Sequence, residues 1–153
     1  MLTLDSLAGL LRRIDNYSIS LFADRLILQK TVYLMQSFGL PLHYRFSWYF
    51  HGPYCPALTK QLYEIGEINE ESEPRKFKDS NHEDTFSRFI QFLSDRRKDE
   101  KWLEAIASLH YLKKNHPNLN NDELINRFLE LKPRYTRRVI ENYLAYLERY
   151  NLT

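Results

Sequence analysis

The sequence predicts a mainly α-helical protein with a minor β component, and three observations support this prediction. The chain of 153 residues contains only 4 glycines and 6 prolines, which are too few turn-forming residues for an all-β sandwich. Apolar residues recur at helical spacing over most of its length. One segment, residues 42–50, alternates with a period of two, which is typical of a β-strand. The length fits one domain, or at most two small ones.

Two helices are predicted in the first forty residues. The first spans about residues 4–16, where Asp5 and Ser6 provide N-terminal capping groups. The second spans about residues 22–38 and ends before Gly39, since glycine commonly terminates helices. Apolar side chains cover most of the circumference of this second helix, so we expect it to lie at the centre of the core.

A strand, a turn and a third helix follow. Residues 42–50 form the predicted strand, and the segment 51–56, which contains two prolines, forms the turn. The third helix runs from Pro56 to about Ile65, because proline is favoured in the first turn of a helix.

Two further short strands are predicted at residues 67–69 and 75–78, joined by the polar residues 70–74. Helix, strand, helix and a two-stranded wing in this order resemble a winged helix. Residues 1–80 are therefore predicted to be a winged-helix-like subdomain with a short β-wing.

The second half of the chain is predicted to be helical. From about Glu83 onward apolar residues recur at positions i, i+3 and i+4, with interruptions at Pro117 and Pro133. This pattern predicts about four helices. We expect this helical subdomain, residues 81–153, to pack against residues 1–80 in one compact domain.

The composition excludes several classes of function. The four glycines lie far apart, so the chain has no glycine-rich phosphate loop. A single cysteine excludes a disulfide framework and a multi-cysteine zinc site, and the histidine spacings put no two imidazoles on one helical face. We therefore expect no metal and no cofactor. There is no long apolar run and no signal-peptide pattern, which predicts a cytoplasmic protein without membrane association.

Catalysis is the weakest of the functional classes. Cys55 and His51 lie four residues apart across a turn, and a Cys–His pair is the minimum for a thiol nucleophile. The alternative is that Cys55 fills the space between Pro53 and Pro56. We expect a non-catalytic protein.

DNA binding has more support than catalysis. Residues 1–74 hold 6 basic and 8 acidic side chains, whereas residues 75–153 hold 16 and 12. A winged helix would contact phosphates through one cation of the third helix and three of the wing, namely Lys60, Arg75, Lys76 and Lys78. Glu64 and Glu67 oppose this function, since they would repel phosphate.

Two more basic clusters lie in the second half of the chain. The first spans residues 96–101, and the second comprises Lys132, Arg134, Arg137 and Arg138. Cations are favourable near helix C-termini, so these clusters are interpreted as solvated helix ends.

Residues 25–65 resemble a known pattern. The resemblance rests on the runs Leu28-Gln29-Lys30 and Phe50-His51-Gly52-Pro53-Tyr54-Cys55-Pro56-Ala57-Leu58, and more weakly on Trp102-Leu103-Glu104. The chain is similar here to the small prokaryotic YwgA-like proteins and, more remotely, to the Panacea (SocA-like antitoxin) domain. The resemblance implies a protein without catalytic activity that binds a toxin-like partner protein. His51 departs from the pattern, because such proteins more often have tyrosine there.

The same pattern suggests a structural role for four residues. Under the resemblance Gln29, Lys30, Gly52 and Pro53 hold the turn against the second helix. The residues themselves point the same way, since Gly-Pro forms a rigid turn and Lys30 can hydrogen-bond the carbonyl groups that this turn leaves free.

The leading hypothesis is therefore a cytoplasmic protein-binding module of the antitoxin-like kind. Six of the 22 aromatic residues fall within residues 44–54. Tyr44, Trp48 and Tyr54 are the predicted anchors for a partner, since tyrosine and tryptophan dominate interface hot spots. The alternative is a winged-helix DNA-binding regulator. The sequence leaves the oligomeric state open, a homodimer included.

Overall fold

The computed structural model of the protein describes residues 1–69 and 71–152. Within these residues it contains seven helices and one two-stranded antiparallel sheet, so the mainly α-helical prediction is confirmed. The elements are α1 (Leu4–Arg12), α2 (Phe22–Ser37), β1 (Ser47–Tyr49), β2 (Gly52–Tyr54), α3 (Pro56–Ile65), α4 (Ser80–Leu93), α5 (Glu100–Asn115), α6 (Asn121–Leu131) and α7 (Arg137–Arg149). None of the described helices has the length and apolar character needed to cross a membrane.

Two helices form the centre of the core. Residues 26–35 of α2 and residues 102–110 of α5 are buried without interruption, and the two helices pack on each other. The predicted central position of the second helix is therefore confirmed. Helix α5 also contacts β2, α6 and α7, so it joins the first half of the chain to the last two helices.

The helix ends follow ordinary capping chemistry. Thr3, rather than Asp5 or Ser6, caps α1, because its hydroxyl oxygen accepts a hydrogen bond from the backbone N–H of Ser6. This helix ends at Arg12, earlier than predicted. The bounds predicted for α3 agree with the structure, with Pro56 as its first residue.

The predicted strand at residues 42–50 is shorter in the structure, where β1 covers only residues 47–49. Two features keep the preceding residues out of the sheet. His43 has a positive φ of 64°, which interrupts the extended chain. The Gln36 side chain accepts a hydrogen bond from the Tyr44 N–H at 2.8 Å and donates one to the Tyr44 carbonyl at 2.9 Å, so both backbone groups are already paired.

The partner of β1 is the segment predicted as a turn. Strand β2 pairs with β1 in antiparallel register, with Ser47 opposite Tyr54 and Tyr49 opposite Gly52. The turn between them is only two residues long, Phe50 and His51. The structure therefore places the hairpin before α3 instead of after it.

The prediction of wing strands at residues 67–69 and 75–78 is wrong. Residues 75–78 form no strand, and in 67–69 only Ile68 makes an isolated bridge, with Tyr17. Side chains of neighbouring helices occupy the backbone groups that a wing would pair: the Arg75 carbonyl accepts a hydrogen bond from Arg13 at 3.3 Å, and the Phe77 N–H donates to Glu83. Of the predicted connection 70–74, residue 70 lies outside the described residues.

The division of the chain at residue 80 stays a prediction. Helix α2 lies before that position and α5 after it, and these two helices form the centre of the core together. The described halves therefore share buried apolar surface.

Candidate functional site

The first feature of the site is a buried amide that holds the start of α3. The Gln29 side chain, on α2, is completely buried. Its Nε2 donates to the Cys55 carbonyl at 2.8 Å and to Thr59 Oγ1 at 2.8 Å, while its Oε1 accepts from the Cys55 N–H at 2.9 Å. The Tyr54 hydroxyl contacts Thr59 Oγ1 at 2.6 Å. We call Gln29, Tyr54, Cys55 and Thr59 the Gln29 clamp; the amide oxygen and nitrogen of Gln29 each have hydrogen-bond partners.

The strand β2 is also held by its neighbours on α2 and α5. Lys30 is buried, and its ammonium donates to the Pro53 carbonyl at 2.6 Å, the type of bond that the sequence leads us to expect. Gly52 has a φ of +94°, and a Cβ placed there would lie 2.2 Å from Ser108 Oγ of α5. Only glycine fits this position, because any other side chain meets both backbone strain and α5.

The third feature is a group of charged and polar side chains around one buried carboxylate. Glu104 of α5 is only 5% exposed. Its oxygens contact His51 Nδ1 at 3.1 Å, Lys132 Nζ at 3.7 Å, the Tyr135 hydroxyl at 3.4 Å and the Arg134 guanidinium. We call these five residues the Glu104 cluster. It joins the hairpin turn to the loop between α6 and α7.

The basic groups of this cluster differ in exposure, since Lys132 is buried whereas the Arg134 side chain is 56% exposed. Burial lowers the pKa of Lys132. Burial, followed by the charges of Lys132, Lys30 and Arg134, lowers the pKa of His51. A neutral imidazole can contact a carboxylate favourably only through an N–H, so His51 carries its proton on Nδ1 and donates it to Glu104.

Burial also changes the protonation of Lys30, which lies close enough to the Glu104 cluster for its charge to affect His51. Desolvation, with a further contribution from the positive charge of Lys132, lowers the pKa of Lys30 to about 7. The ammonium of Lys30 is thus partly deprotonated near neutral pH.

A groove runs along the exposed side of the Glu104 cluster. It encloses about 690 Å³ and is lined by four hairpin residues and four residues at and after the end of α6, namely Trp48, Tyr49, Phe50, His51, Leu131, Lys132, Pro133 and Arg134. We call it the hairpin groove. Its volume lies in the range of ordinary ligand and peptide-anchor pockets.

Exposed aromatic rings surround the turn of the hairpin. Phe50 is 91% exposed, and its ring centroid lies 5.1 Å from that of His51. Phe22, at the start of α2, is 56% exposed and contacts the same imidazole edge-on at 5.6 Å. Tyr49 and Leu131 are exposed as well. Tyr49, Phe50 and Leu131 line the same groove, and exposed apolar side chains grouped in this way are typical of interaction sites.

The three predicted anchors have different environments. Tyr44 is only 4% exposed and its hydroxyl donates to Gln61 Oε1 at 2.7 Å, so this ring belongs to the core. Tyr54 is partly buried and belongs to the Gln29 clamp. Trp48 is partly buried, packs against Tyr111 and lines the hairpin groove. Their use by a partner stays a prediction.

The structure gives the two members of the predicted thiol pair different partners. Cys55 is buried at the N-cap of α3, with its backbone N–H and carbonyl bonded to Gln29. His51 instead donates to Glu104. Among the described residues, no three side chains of His, Cys, Asp or Glu come together in a way that could hold a metal ion.

The predicted DNA contacts lie on the surface beside an acidic groove. The four cations Lys60, Arg75, Lys76 and Lys78 are all exposed. Arg75, however, lines a groove of about 420 Å³ that also contains Asp5, Glu64, Glu67, Glu71 and Glu73. The negative charge of this groove opposes the approach of a phosphate backbone.

Sequence reasoning did not find the centre of the Glu104 cluster. Glu104 is one acidic residue on a helical pattern, and Lys132 stands in a basic run that resembles a solvated helix end. One signal was available: Lys132 directly precedes Pro133, which forces α6 to end there and turns the chain back toward the core.

Comparison of the chain with protein-family models, with curated proteins and with solved structures found no match.

Proposed function

We propose that this protein is a cytoplasmic protein-binding module without catalytic activity, of the antitoxin-like kind, and that the hairpin groove is its docking surface. The observation that carries the proposal is the phenyl ring of Phe50, which is 91% exposed at the tip of a rigid hairpin. A large apolar ring in water is unfavourable by about 1.5–3 kcal/mol relative to a buried one, and a partner that covers it would recover this energy.

The apolar side chains are concentrated in one place. Phe50 and Phe22 contact His51 from two sides, while Tyr49 and Leu131 extend the surface along the groove. An interface centre of this type combines aromatic anchors with a polar edge, which here consists of Lys132 and Arg134.

The hairpin is also organised before binding. The Gln29 clamp fixes Cys55, Lys30 fixes the Pro53 carbonyl, and Gly52 rests against Ser108. A partner therefore does not have to order the hairpin, and the conformational entropy cost of association is small.

The resemblance to YwgA-like proteins and the Panacea domain agrees with this proposal. The residues that carry the resemblance, from Leu28 to Lys30 and from Phe50 to Leu58, are those that build and fix the hairpin. A toxin-like protein is accordingly the partner that we propose.

The test uses a partner that has been identified and purified. Affinity purification from the native host, followed by expression of the candidate partner, provides a two-component system in which Kd can be measured by calorimetry. We expect Phe50→Ala to weaken binding by about thirtyfold, which corresponds to about 2 kcal/mol. Tyr63→Ala is the matched control, since Tyr63 is an exposed ring on α3 that does not line the hairpin groove.

Equal affinities of the wild type and Phe50→Ala would overturn the proposal. Loss of a dimer, instead of loss of a second protein, would identify another copy of this chain as the occupant. Sedimentation of both variants distinguishes these outcomes.

DNA binding by a winged-helix-like amino-terminal half is the competing proposal. The exposure of Lys60, Arg75, Lys76 and Lys78 favours it, and the adjoining acidic groove opposes it. DNA binding requires that the affinity for random duplex DNA falls steeply between about 50 and 200 mM salt. The dependence of this affinity on salt should be weaker in Lys60→Gln, which makes one phosphate contact fewer. Absence of binding at low salt would end this proposal.

A further inference from the structure

We propose that the hairpin groove binds an acidic side chain of the partner polypeptide, with its carboxylate on Lys132 and an adjacent apolar residue against Phe50. This inference rests on the proposed function and specifies the chemistry of the docking segment. It derives from the arrangement of charges in the Glu104 cluster.

The ammonium of Lys132 has an unusual environment. Lys132 is only 6% exposed, yet the residue lines the groove, and its ammonium makes no hydrogen bond to a described residue. The nearest carboxylate oxygen belongs to Glu104, 3.7 Å away, and the ring of Trp48 lies 5.7 Å from Nζ. A buried ammonium has three N–H donors to satisfy, so this one has the capacity to bind an anion that enters the groove.

The charges of the cluster do not balance. Lys132 and Arg134 face a single carboxylate, Glu104, and the Arg134 guanidinium contacts that carboxylate closely. His51 adds a neutral imidazole. Among the described residues one positive charge is thus in excess around Glu104, and because Lys132 is buried, its attraction for an incoming anion is stronger than at an exposed site.

The walls of the groove determine which anion fits. Trp48, Phe50 and Leu131 supply apolar surface beside the ammonium. A free inorganic anion would use the charge but none of this surface. A glutamate or aspartate next to a large apolar residue uses both, and its single negative charge matches the single positive charge in excess.

The test uses two short peptides that differ only in charge, acetyl-Phe-Glu-Phe-amide and acetyl-Phe-Gln-Phe-amide. Titrations up to about 5 mM are followed by tryptophan fluorescence, because Trp48 lines the groove whereas Trp102 is buried in the core. We expect the glutamate peptide to bind the wild type at least about tenfold more tightly than the glutamine peptide.

Two variants assign the effect to a residue. Lys132→Met keeps the length and apolar character of the side chain, and we expect it to bind both peptides equally. Lys78→Met is the matched control, since it removes an exposed lysine outside the groove and should keep the tenfold preference. Thermal unfolding of each variant verifies that it is folded.

Several results would overturn the inference: equal binding of the two peptides by the wild type, a preserved preference in Lys132→Met, or no binding of either peptide at the highest concentration. If inorganic phosphate competes with both peptides and the protein does not prefer the glutamate peptide, the groove binds free anions instead. The Kd of the purified partner with Phe50→Ala is independent of these titrations. If the protein does not prefer the glutamate peptide but Phe50→Ala still weakens binding of the partner, the acidic docking segment is rejected and the proposed function is retained.

Discussion

The Gln29 clamp and the Glu104 cluster are both buried polar groups that hold the same hairpin, but they differ in how completely they are satisfied. In the clamp, the amide oxygen and nitrogen of Gln29 have partners at 2.8–2.9 Å. In the cluster, the Lys132 ammonium lies 3.7 Å from a carboxylate oxygen of Glu104 and makes no hydrogen bond to a described residue.

This difference separates a structural role from a binding role. A buried polar group with every partner in place stabilises one conformation and has nothing left for a ligand. A buried charge without a full set of partners lowers the stability of the free protein, and binding can recover that loss. The two regions should therefore respond oppositely to substitution: folding fails in the first, and binding fails in the second.

The largest effect is expected where the hairpin touches α5. Gly52→Ala should lower the free energy of unfolding by about 3 kcal/mol, because the added methyl group meets Ser108 Oγ and the backbone has a positive φ. Gly39→Ala is the control: φ is +110° there, but nothing lies within 4 Å of the added Cβ, so only strain of about 1–2 kcal/mol remains. Denaturant unfolding measures both. Equal losses of stability in the two variants would show that the contact with α5 does not contribute to the effect of Gly52→Ala.

A smaller loss is expected in the clamp. Gln29→Leu should lower the free energy of unfolding by about 2 kcal/mol, since it leaves the buried N–H of Cys55 without a partner. The Cys55 carbonyl keeps its hydrogen bonds from the backbone N–H groups of Leu58 and Thr59. Affinity for the partner should not change in the fraction that remains folded. Urea denaturation measures the free energy of unfolding, and calorimetry measures the affinity for the partner. A fully folded Gln29→Leu variant that binds the partner more weakly would contradict the purely structural role of the clamp.

Lys30 allows a test by pH. Its pKa is about 7 in the folded protein and 10.5 in the unfolded chain, so between these values the unfolded state binds more protons. The free energy of unfolding should therefore rise with pH, by about 2 kcal/mol from pH 7 to pH 9. The difference between wild type and Lys30→Met isolates this contribution from other titrating groups. A difference that does not vary over this range would contradict the prediction.

The smallest change in stability is expected at Lys132. Lys132→Met removes a buried, incompletely paired charge, so the free energy of unfolding should stay within about 1 kcal/mol of the wild type or rise. Partner affinity should fall in the same variant. A loss of stability as large as that of Gln29→Leu would show that Lys132 belongs to the scaffold.

Local sequence patterns predicted the helices well. Pro56 and Gly66 delimit α3, and the continuous apolar pattern of α2 indicated its central position, because these signals act over a few residues. The wing at 67–69 and 75–78 failed for a different reason. Its backbone groups are bound by side chains instead: the Arg75 carbonyl by Arg13, 62 positions away, and the Phe77 N–H by Glu83 of the following helix. The local pattern of residues 67–78 reports neither contact.

The candidate site was predictable only in part. The sequence predicted a rigid Gly-Pro segment with Lys30 as a donor to its carbonyl groups, but it predicted this segment as a turn and not as strand β2. It gave no information on which rings are exposed: Tyr44 is buried and Phe50 is not, although both lie in the same aromatic segment. Glu104 and Lys132 are 28 positions apart, and only the packing of α6 on α5 brings them together.

The uninterrupted burial of residues 102–110 in α5 has a consequence for motion on long timescales. This helix contacts β2, α2, α6 and α7, so its amide hydrogens can exchange with solvent only when the whole domain opens. Residues 71–77, which have no regular structure, should exchange orders of magnitude faster. Both walls of the hairpin groove are attached to this slowest-exchanging helix, one through Gly52 and the other through Arg134 and Tyr135, which contact Glu104. The shape that a partner meets should thus persist for as long as the protein stays folded.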